Sequence, residues 1–425
     1  MQTTAQSTNR YAITIIGILF FIFGFVTWLN GSLIQFLKLV CELANDTQAF
    51  FVTSAFYMAY FFLAIPSSVI LKKTGFKNGM ALGLLIIAVG CLVFIPAANS
   101  RSFGLFLTGL FVQGMGLTIL QTASNPYISI IGPIESAATR ISILGICNKA
   151  AGILSPLIIG ALVLKNATNI EEQVKLTTDI ATKENLLNEL AGRVITPYII
   201  IAVILVLLAI LLSLSKLPEI KETAETDAAN NLITGNKTSV FQFPHLLLGV
   251  LCLFLYVGVE VMAGDAIGTY GKSMGMPLDE TKYFTTFTLV AMLTGYVIGI
   301  FTIPKYISQQ KALLISAITG VVFTIMVFLT SGYISIGFIA LLGLSNALMW
   351  PAIFPLAIAG LGKFTKIGAA FLIMGIAGGA LLPLLYATLK DSNGSFQLSN
   401  KLSFLICMLP CYLYIIYYST KGYKR

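Results

Sequence analysis

Lys216-Leu217-Pro218-Glu219-Ile220-Lys221-Glu222-Thr223-Ala224-Glu225-Thr226-Asp227 opens a polar stretch that ends at Phe243, between apolar runs at 195–215 and 244–271. Where this stretch falls decides the fold. A bilayer core of ~30 Å needs about 20 apolar helical residues to cross it. By that rule, six helices precede the stretch, near 11–37, 47–71, 77–97, 103–131, 139–164 and 195–215. Six follow it, near 244–271, 280–304, 309–329, 333–361, 366–389 and 400–419. The prediction is an all-α integral membrane protein with twelve transmembrane helices in two six-helix halves. Residues 1–215 form one half and 244–425 the other, and 216–243 is a cytoplasmic linker.

Composition leaves little alternative. Of 425 residues, 57% are hydrophobic and 10% charged, against roughly 25% charged in a soluble domain. A water-facing surface cannot be built from that supply. The net charge of +9 does not signal a nucleic-acid partner, because the cations sit singly between apolar runs. The partner they imply is the lipid bilayer. The six cysteines form no CxxC pair, and the one histidine, His245, stands alone beside Pro244. Neither supports a metal site or a catalytic triad, so the chain reads as no enzyme. The run from Tyr11 to Leu37 exceeds a signal-peptide core and reads as the first membrane helix.

The halves resemble each other. Ala150-Ala151-Gly152-Ile153-Leu154-Ser155-Pro156-Leu157 in the fifth helix matches Ala377-Gly378-Gly379-Ala380-Leu381-Leu382-Pro383-Leu384 in the eleventh. Basic loops also correspond, Leu71-Lys72-Lys73-Thr74-Gly75-Phe76-Lys77 after the second helix and Pro304-Lys305-Tyr306 after the eighth. Parallel six-helix repeats hold a solute near the midplane, between the halves. With an internal N-terminus, fifteen cations fall on cytoplasmic segments and ten outside, four of the ten in one long loop at 165–194. That bias places both termini in the cytoplasm.

Charges inside a bilayer are expensive and mark function by default. Lys149 lies about ten residues into the fifth helix, ~15 Å deep. It reads as a solute ligand or an exchangeable ion-pair partner, with a static ion pair as the alternative. Glu260 and Asp265 in the seventh helix are the partner candidates, roughly 140° apart around it. Either could couple transport to an ion, as a proton carrier or a sodium ligand. Neutral polar residues also cluster. Thr27, Trp28 and Asn30 lie in the first helix, Gln113, Gln121, Thr122, Ser124 and Asn125 in the fourth, and Ser345, Asn346 and Trp350 in the tenth. Amides, hydroxyls and an indole face are what grips a sugar, while the same groups can also glue helices together.

Leu120-Gln121-Thr122-Ala123-Ser124-Asn125-Pro126-Tyr127, followed by Gly132-Pro133 and Arg140, resembles the fourth-helix signature of the fucose:proton symporter family of the major facilitator superfamily. Phe23-Gly24-Phe25-Val26-Thr27-Trp28-Leu29-Asn30 is similar to its first helix. Tyr256-Val257-Gly258-Val259-Glu260-Val261 and Leu344-Ser345-Asn346-Ala347-Leu348-Met349-Trp350-Pro351 resemble its glucose/galactose-type members. The resemblance spans nearly the whole chain. It implies a major facilitator fold and cation-coupled uptake of a hexose or N-acetylhexosamine, by a monomer in the bacterial inner membrane. The polar residues of the span give the substrate-ligand candidates, Trp28, Asn30, Gln121, Asn125, Lys149, Asn346 and Trp350, and its ionisable groups, Glu260, Asp265 and Lys149, are the candidates for coupling the ion. No cofactor is implied beyond that ion, proton or sodium. Two positions depart from the pattern. Members often carry an acid where this chain has Gly31, and the fucose symporter has a glutamate at the position of Gln121. Uniport of sugar, and export of amphipathic compounds on the same fold, are the competing readings.

Overall fold

The computed structural model describes residues 10–130, 137–217, 237–303, 305–391 and 396–425. Most of the expected linker, 218–236, and the Gly132-Pro133 pair lie outside them. Among these residues, eleven helical runs are long and apolar enough to cross a membrane. One of them, Asp46–Asn99, has 54 residues, twice what one crossing needs. It bends at Gly75, whose φ of 75° and ψ of 173° are not helical, so it makes two crossings and the total is twelve.

In chain order the crossings are α1 (Tyr11–Val40), α2 (51–74), α3 (76–99), α4 (Phe103–Ile130), α5 (Ala137–Leu162) and α6 (Ile195–Leu214). Then come α7 (Pro244–Gly264, continued by Ala266–Lys272), α8 (Phe284–Thr302), α9 (Gln309–Leu329), α10 (Gly332–Asn346 and Met349–Ile358), α11 (Thr365–Met374 and Gly378–Lys390) and α12 (Asn400–Thr420). The sequence placed a loop at 72–76. A single glycine in a conformation other residues avoid makes the turn instead, and the helical run is otherwise unbroken. Large apolar side chains such as Phe62, Val89, Leu211 and Phe301 are exposed. On a soluble protein such a surface would aggregate; here it faces lipid. The chain is a multi-pass membrane protein.

Twelve crossings return the chain to the face it started from, so both termini share a face. The opposite face, called distal below, carries the loop after α5. That loop folds into two helices, Ala167–Leu176 and Ile180–Gly192.

The halves meet along α5 with α8 and along α2 with α11. The repeat maps α5 onto α11 and α8 onto α2, so each contact is the image of the other, as a two-fold relation requires. One residue pair shows it. A Cβ added at Gly152 of α5 would strike Trp28 of α1 and Leu289 of α8, and one at its repeat mate Gly379 of α11 would strike Val261 of α7 and Tyr57 of α2. The two glycines let the helices approach closely at equivalent points.

Four crossings are broken mid-span: α1 at Trp28–Leu29, α7 at Asp265, α10 at Ala347–Leu348 and α11 around Gly375–Ala377. Discontinuous helices in a bilayer leave backbone groups unpaired, tolerable only where protein or a water-lined cavity satisfies them. At the α7 break, Thr285 and Thr288 of α8 supply hydroxyls, donating to the Gly264 carbonyl at 2.7 Å and the Ala263 carbonyl at 2.8 Å. Helix α1 and its repeat mate α7 are both broken at the level where the polar residues gather.

Candidate functional site

Lys149 sits on α5 about 18 Å from that helix's start at Ala137, at 1.5 Å per residue. Its Nζ meets Glu260 Oε1 of α7 at 2.7 Å, with the side chains 8% and 11% exposed. The two halves are therefore joined at their centre by a buried ion pair. The same ammonium lies 4.4 Å from the centroid of the Trp28 ring, a distance at which a cation is drawn to an indole face. Trp28 is only 2% exposed. Gly152 and Gly264 make room for it, since a Cβ at either would come within 2.5 Å or less of a ring carbon. Its Nε1 donates to Asn148 Oδ1 at 3.4 Å, and Asn148 Nδ2 donates to the Phe20 carbonyl at 3.5 Å. The indole is thus fixed edge and face, and in this conformation its face is covered by Lys149.

The other sequence-predicted residues divide into engaged and waiting groups. Gln121 of α4 donates to the Tyr60 hydroxyl of α2 at 2.7 Å. Asn346 accepts from the Tyr412 hydroxyl at 2.8 Å and donates to the Val259 carbonyl at 3.5 Å. Trp350 stacks on Phe354, centroids 5.9 Å apart, and tilts against Tyr256 at 6.5 Å. Asn125 is buried on α4. Asn30 is fully buried at the α1 break, and neither of its amide atoms has a hydrogen-bond partner in the protein. Ser345 Oγ and Thr27 Oγ1 are in the same position. Buried polar atoms left unmatched call for an explanation, and a polar ligand or water is the ordinary one. Asp265 is 0% exposed, and both its oxygens lack hydrogen-bond partners.

Sequence reading missed Asn148, Tyr256 and Tyr60. Tyr256 was findable, because it lies four residues before Glu260 and so on the same face of α7. Asn148 adjoins Lys149 in sequence but points to Trp28 only because α1 crosses there. Nothing in the sequence singles out Tyr60.

On the distal side the halves are clasped. Gln35 of α1 bonds Thr281, donating to its carbonyl at 3.5 Å and accepting from its hydroxyl at 3.2 Å. Lys282, itself buried, donates to the Leu164 carbonyl at 2.8 Å and pairs with Asp279 at 2.6 Å. Thr168 and Asp279 exchange two hydrogen bonds of 3.2 and 3.0 Å. Glu171 of the loop helix pairs with Lys272 and Lys175. Asp46 is held by Lys38 of its own half and at 2.6 Å by Lys390 of the other. The described inter-half bonds concentrate between the Lys149–Glu260 level and this face, which is closed.

The pattern of the Major Facilitator Superfamily matches residues 16–383. The glucose/galactose transporter of Brucella abortus biovar 1 (strain 9-941) is 33% identical over 426 residues, covering 100% of this chain and 97% of the relative. The L-fucose-proton symporter of Escherichia coli K12 is 28% identical, covering 89% and 86%. A crystal structure of the major facilitator transporter FucP in its outward conformation is 26% identical and superposes with a TM-score of 0.72 over 96% of this chain and 98% of that one. Twelve crossings in two repeated halves agree with these matches over nearly the full length: the chain belongs to the major facilitator superfamily.

Proposed function

We propose that this chain imports a hexose or N-acetylhexosamine by cation-coupled symport and alternating access. The buried Lys149–Glu260 pair carries the reading. It bridges the halves at the one level where a rocking motion would expose a solute to either side. Trp28 lies against its ammonium, and Trp28, Asn30, Gln121, Asn125, Asn346 and Trp350 would supply amides and indole faces suited to sugar hydroxyls and ring faces. The 33%-identical relative called a glucose/galactose transporter supports a hexose over a 6-deoxy sugar. Glu260 and Asp265 are the carboxyls available for coupling. The two bodies that rock are 1–215 and 244–425, linked by 216–243. The molecule works as a monomer in a bacterial inner membrane with both termini cytoplasmic, which makes the distal face the outer one.

A sugar uniporter is the second reading. It is favoured by Gly31 and Gln121, where related symporters carry acids. The deciding experiment is uptake of labelled glucose, galactose and N-acetylglucosamine into proteoliposomes under an imposed proton or sodium gradient. Accumulation of one sugar under one gradient is expected. Equilibration without accumulation would establish the uniporter. No movement of any sugar would overturn the reading and favour an exporter of amphipathic compounds.

The fourth helix gives a sharper check. Gln121→Ala and Asn125→Ala are each expected to weaken sugar affinity about fivefold or more, the ~1 kcal/mol of one hydrogen bond. Affinity measured by sugar counterflow and unchanged in both variants would remove α4 from the site.

A further inference from the structure

We infer that Asp265 is the coupling group and that the ion it takes is a proton, bound as the condition for closing the distal seam. This rests on the transport reading and adds the ion, the residue and the step.

The geometry is specific. Asp265 occupies the break in α7, facing the α1 segment that begins at Asn30 after its own break. A Cβ placed on Gly31 would lie 3.4 Å from Asp265 Oδ1 and 2.6 Å from Thr285 Oγ1. The carboxyl is therefore pressed against bare α1 backbone, and Gly31 is what lets the two helices approach. The Gly31 amide faces the carboxyl without closing a hydrogen bond of normal geometry. No water-accessible surface remains on the residue.

Charge counting decides the protonation state. The charged groups facing Asp265 are Glu260 on its own helix and Lys149 on α5; Tyr57 faces it from α2. α1 presents Gly31, and α8 presents Thr285 with its hydroxyl turned to the Gly264 carbonyl. Among the described residues there is one cation for two carboxyls, and that cation is bonded to Glu260 at 2.7 Å. An ionised Asp265 would be a buried, unmatched charge. A neutral acid avoids that penalty. Sodium would also neutralise it, but hard cations need a cage of several oxygens, and the neighbours here are a glycine amide, the Tyr57 phenol and a hydroxyl already committed elsewhere.

The coupling step follows. Opening the distal seam parts α1 from α7 and wets the carboxyl, which ionises. Resealing then requires a proton from the distal side. Release toward the other side passes Glu260, five residues along α7 and ~7.5 Å deeper.

The test uses the full chain in proteoliposomes, with Asp265→Asn as the permanently neutral form and Asp265→Glu as the variant that keeps an acid. A one-unit pH gradient, worth about 1.4 kcal/mol per proton, concentrates sugar up to about tenfold. Wild type and D265E are expected to show this, and D265N to show none while keeping sugar counterflow. Infrared spectra at neutral pH, recorded without sugar, are expected to show a protonated carboxylic-acid carbonyl band that D265N lacks and E260Q keeps. Undiminished accumulation by D265N overturns the inference. So does accumulation driven by sodium and not by pH, loss of counterflow in both Asp265 variants, or the absence of the infrared band. If the wild type moves no sugar, the transport reading falls, and the infrared band still decides whether Asp265 holds a proton.

Discussion

Lys149→Met is expected to abolish both sugar accumulation and counterflow, and to destabilise the protein more than any other single change at the centre. The methionine fills the space of the lysine stem but leaves Glu260 buried without its cation. Removing one partner of a buried pair costs on the order of 3–5 kcal/mol, because the remaining charge stays desolvated. It also uncovers the Trp28 face, losing a contact of about 2 kcal/mol at a desolvated site. The double variant, Lys149→Met with Glu260→Gln, separates structure from function. It removes both charges, so thermal stability in detergent is expected to recover to near the wild-type value while transport stays absent. If the double variant transports like wild type, the pair is only a brace between halves. If Lys149→Met alone accumulates normally, Lys149 has no part in the cycle. The contrast with D265N is diagnostic: that variant is expected to lose accumulation and keep counterflow, whereas Lys149→Met loses both.

What the sequence made legible follows from range. The number of crossings is a local property of apolar run lengths, and α9 runs over the 309–329 read from them. The depth of Lys149 is equally local, a matter of counting residues from a helix end. Its partner is not, because Glu260 lies 111 residues away in the other half and two carboxyls on α7 were available. The helix breaks at Trp28–Leu29 and Asp265 were illegible for another reason. Neither contains proline, and each is met by groups of other helices: the α7 carbonyls by the hydroxyls of Thr285 and Thr288, and Trp28 by Asn148 and Lys149. The run at 72–76 misled in the opposite sense, since its lysines read as a loop whereas only Gly75 departs from helix. The distal clasp was hidden because polar and charged residues are spread along 165–194. Which of Glu171 and Glu172 meets Lys272 depends on how the loop helix docks, which no periodicity encodes.

That clasp yields the second large effect. Asp46→Ala is expected to shift the resting conformation toward a distal-open form by about a hundredfold. Lys390 is the reason. Its side chain is 7% exposed and its carboxylate partner is Asp46, which belongs to the other half. Stripping that partner leaves a buried ammonium with Lys38 nearby as a like charge and Asp391 as a weaker counter-charge, and the closed form bears the penalty. At the low end for a buried pair, about 3 kcal/mol, the equilibrium moves roughly two decades at 1.4 kcal/mol each. Glu171→Gln should do less. Its pairs with Lys272 and Lys175 are partly exposed on the cation side, where such pairs contribute about 0–1 kcal/mol. Burial pushes the Glu171 carboxyl up, but hydrogen bonds and charge from Lys272 and Lys175 pull it further down, so its pKa sits below the usual carboxylate value. A lowered pKa means that its contribution to closure is complete above the ordinary carboxylate range and is lost only as pH falls through the lowered value. Closure through Glu171 is therefore flat between pH 5 and 8. Spin labels on Glu189 and Lys401, one on the distal surface of each half, read the distance directly. Asp46→Ala is expected to move most of the population to longer distances at every pH from 5 to 8. Glu171→Gln is expected to move a small fraction, also without pH dependence. A distance distribution unchanged in Asp46→Ala would mean that apolar packing of α5 on α8 and α2 on α11 holds the distal face shut, with the ion pairs only decorating it.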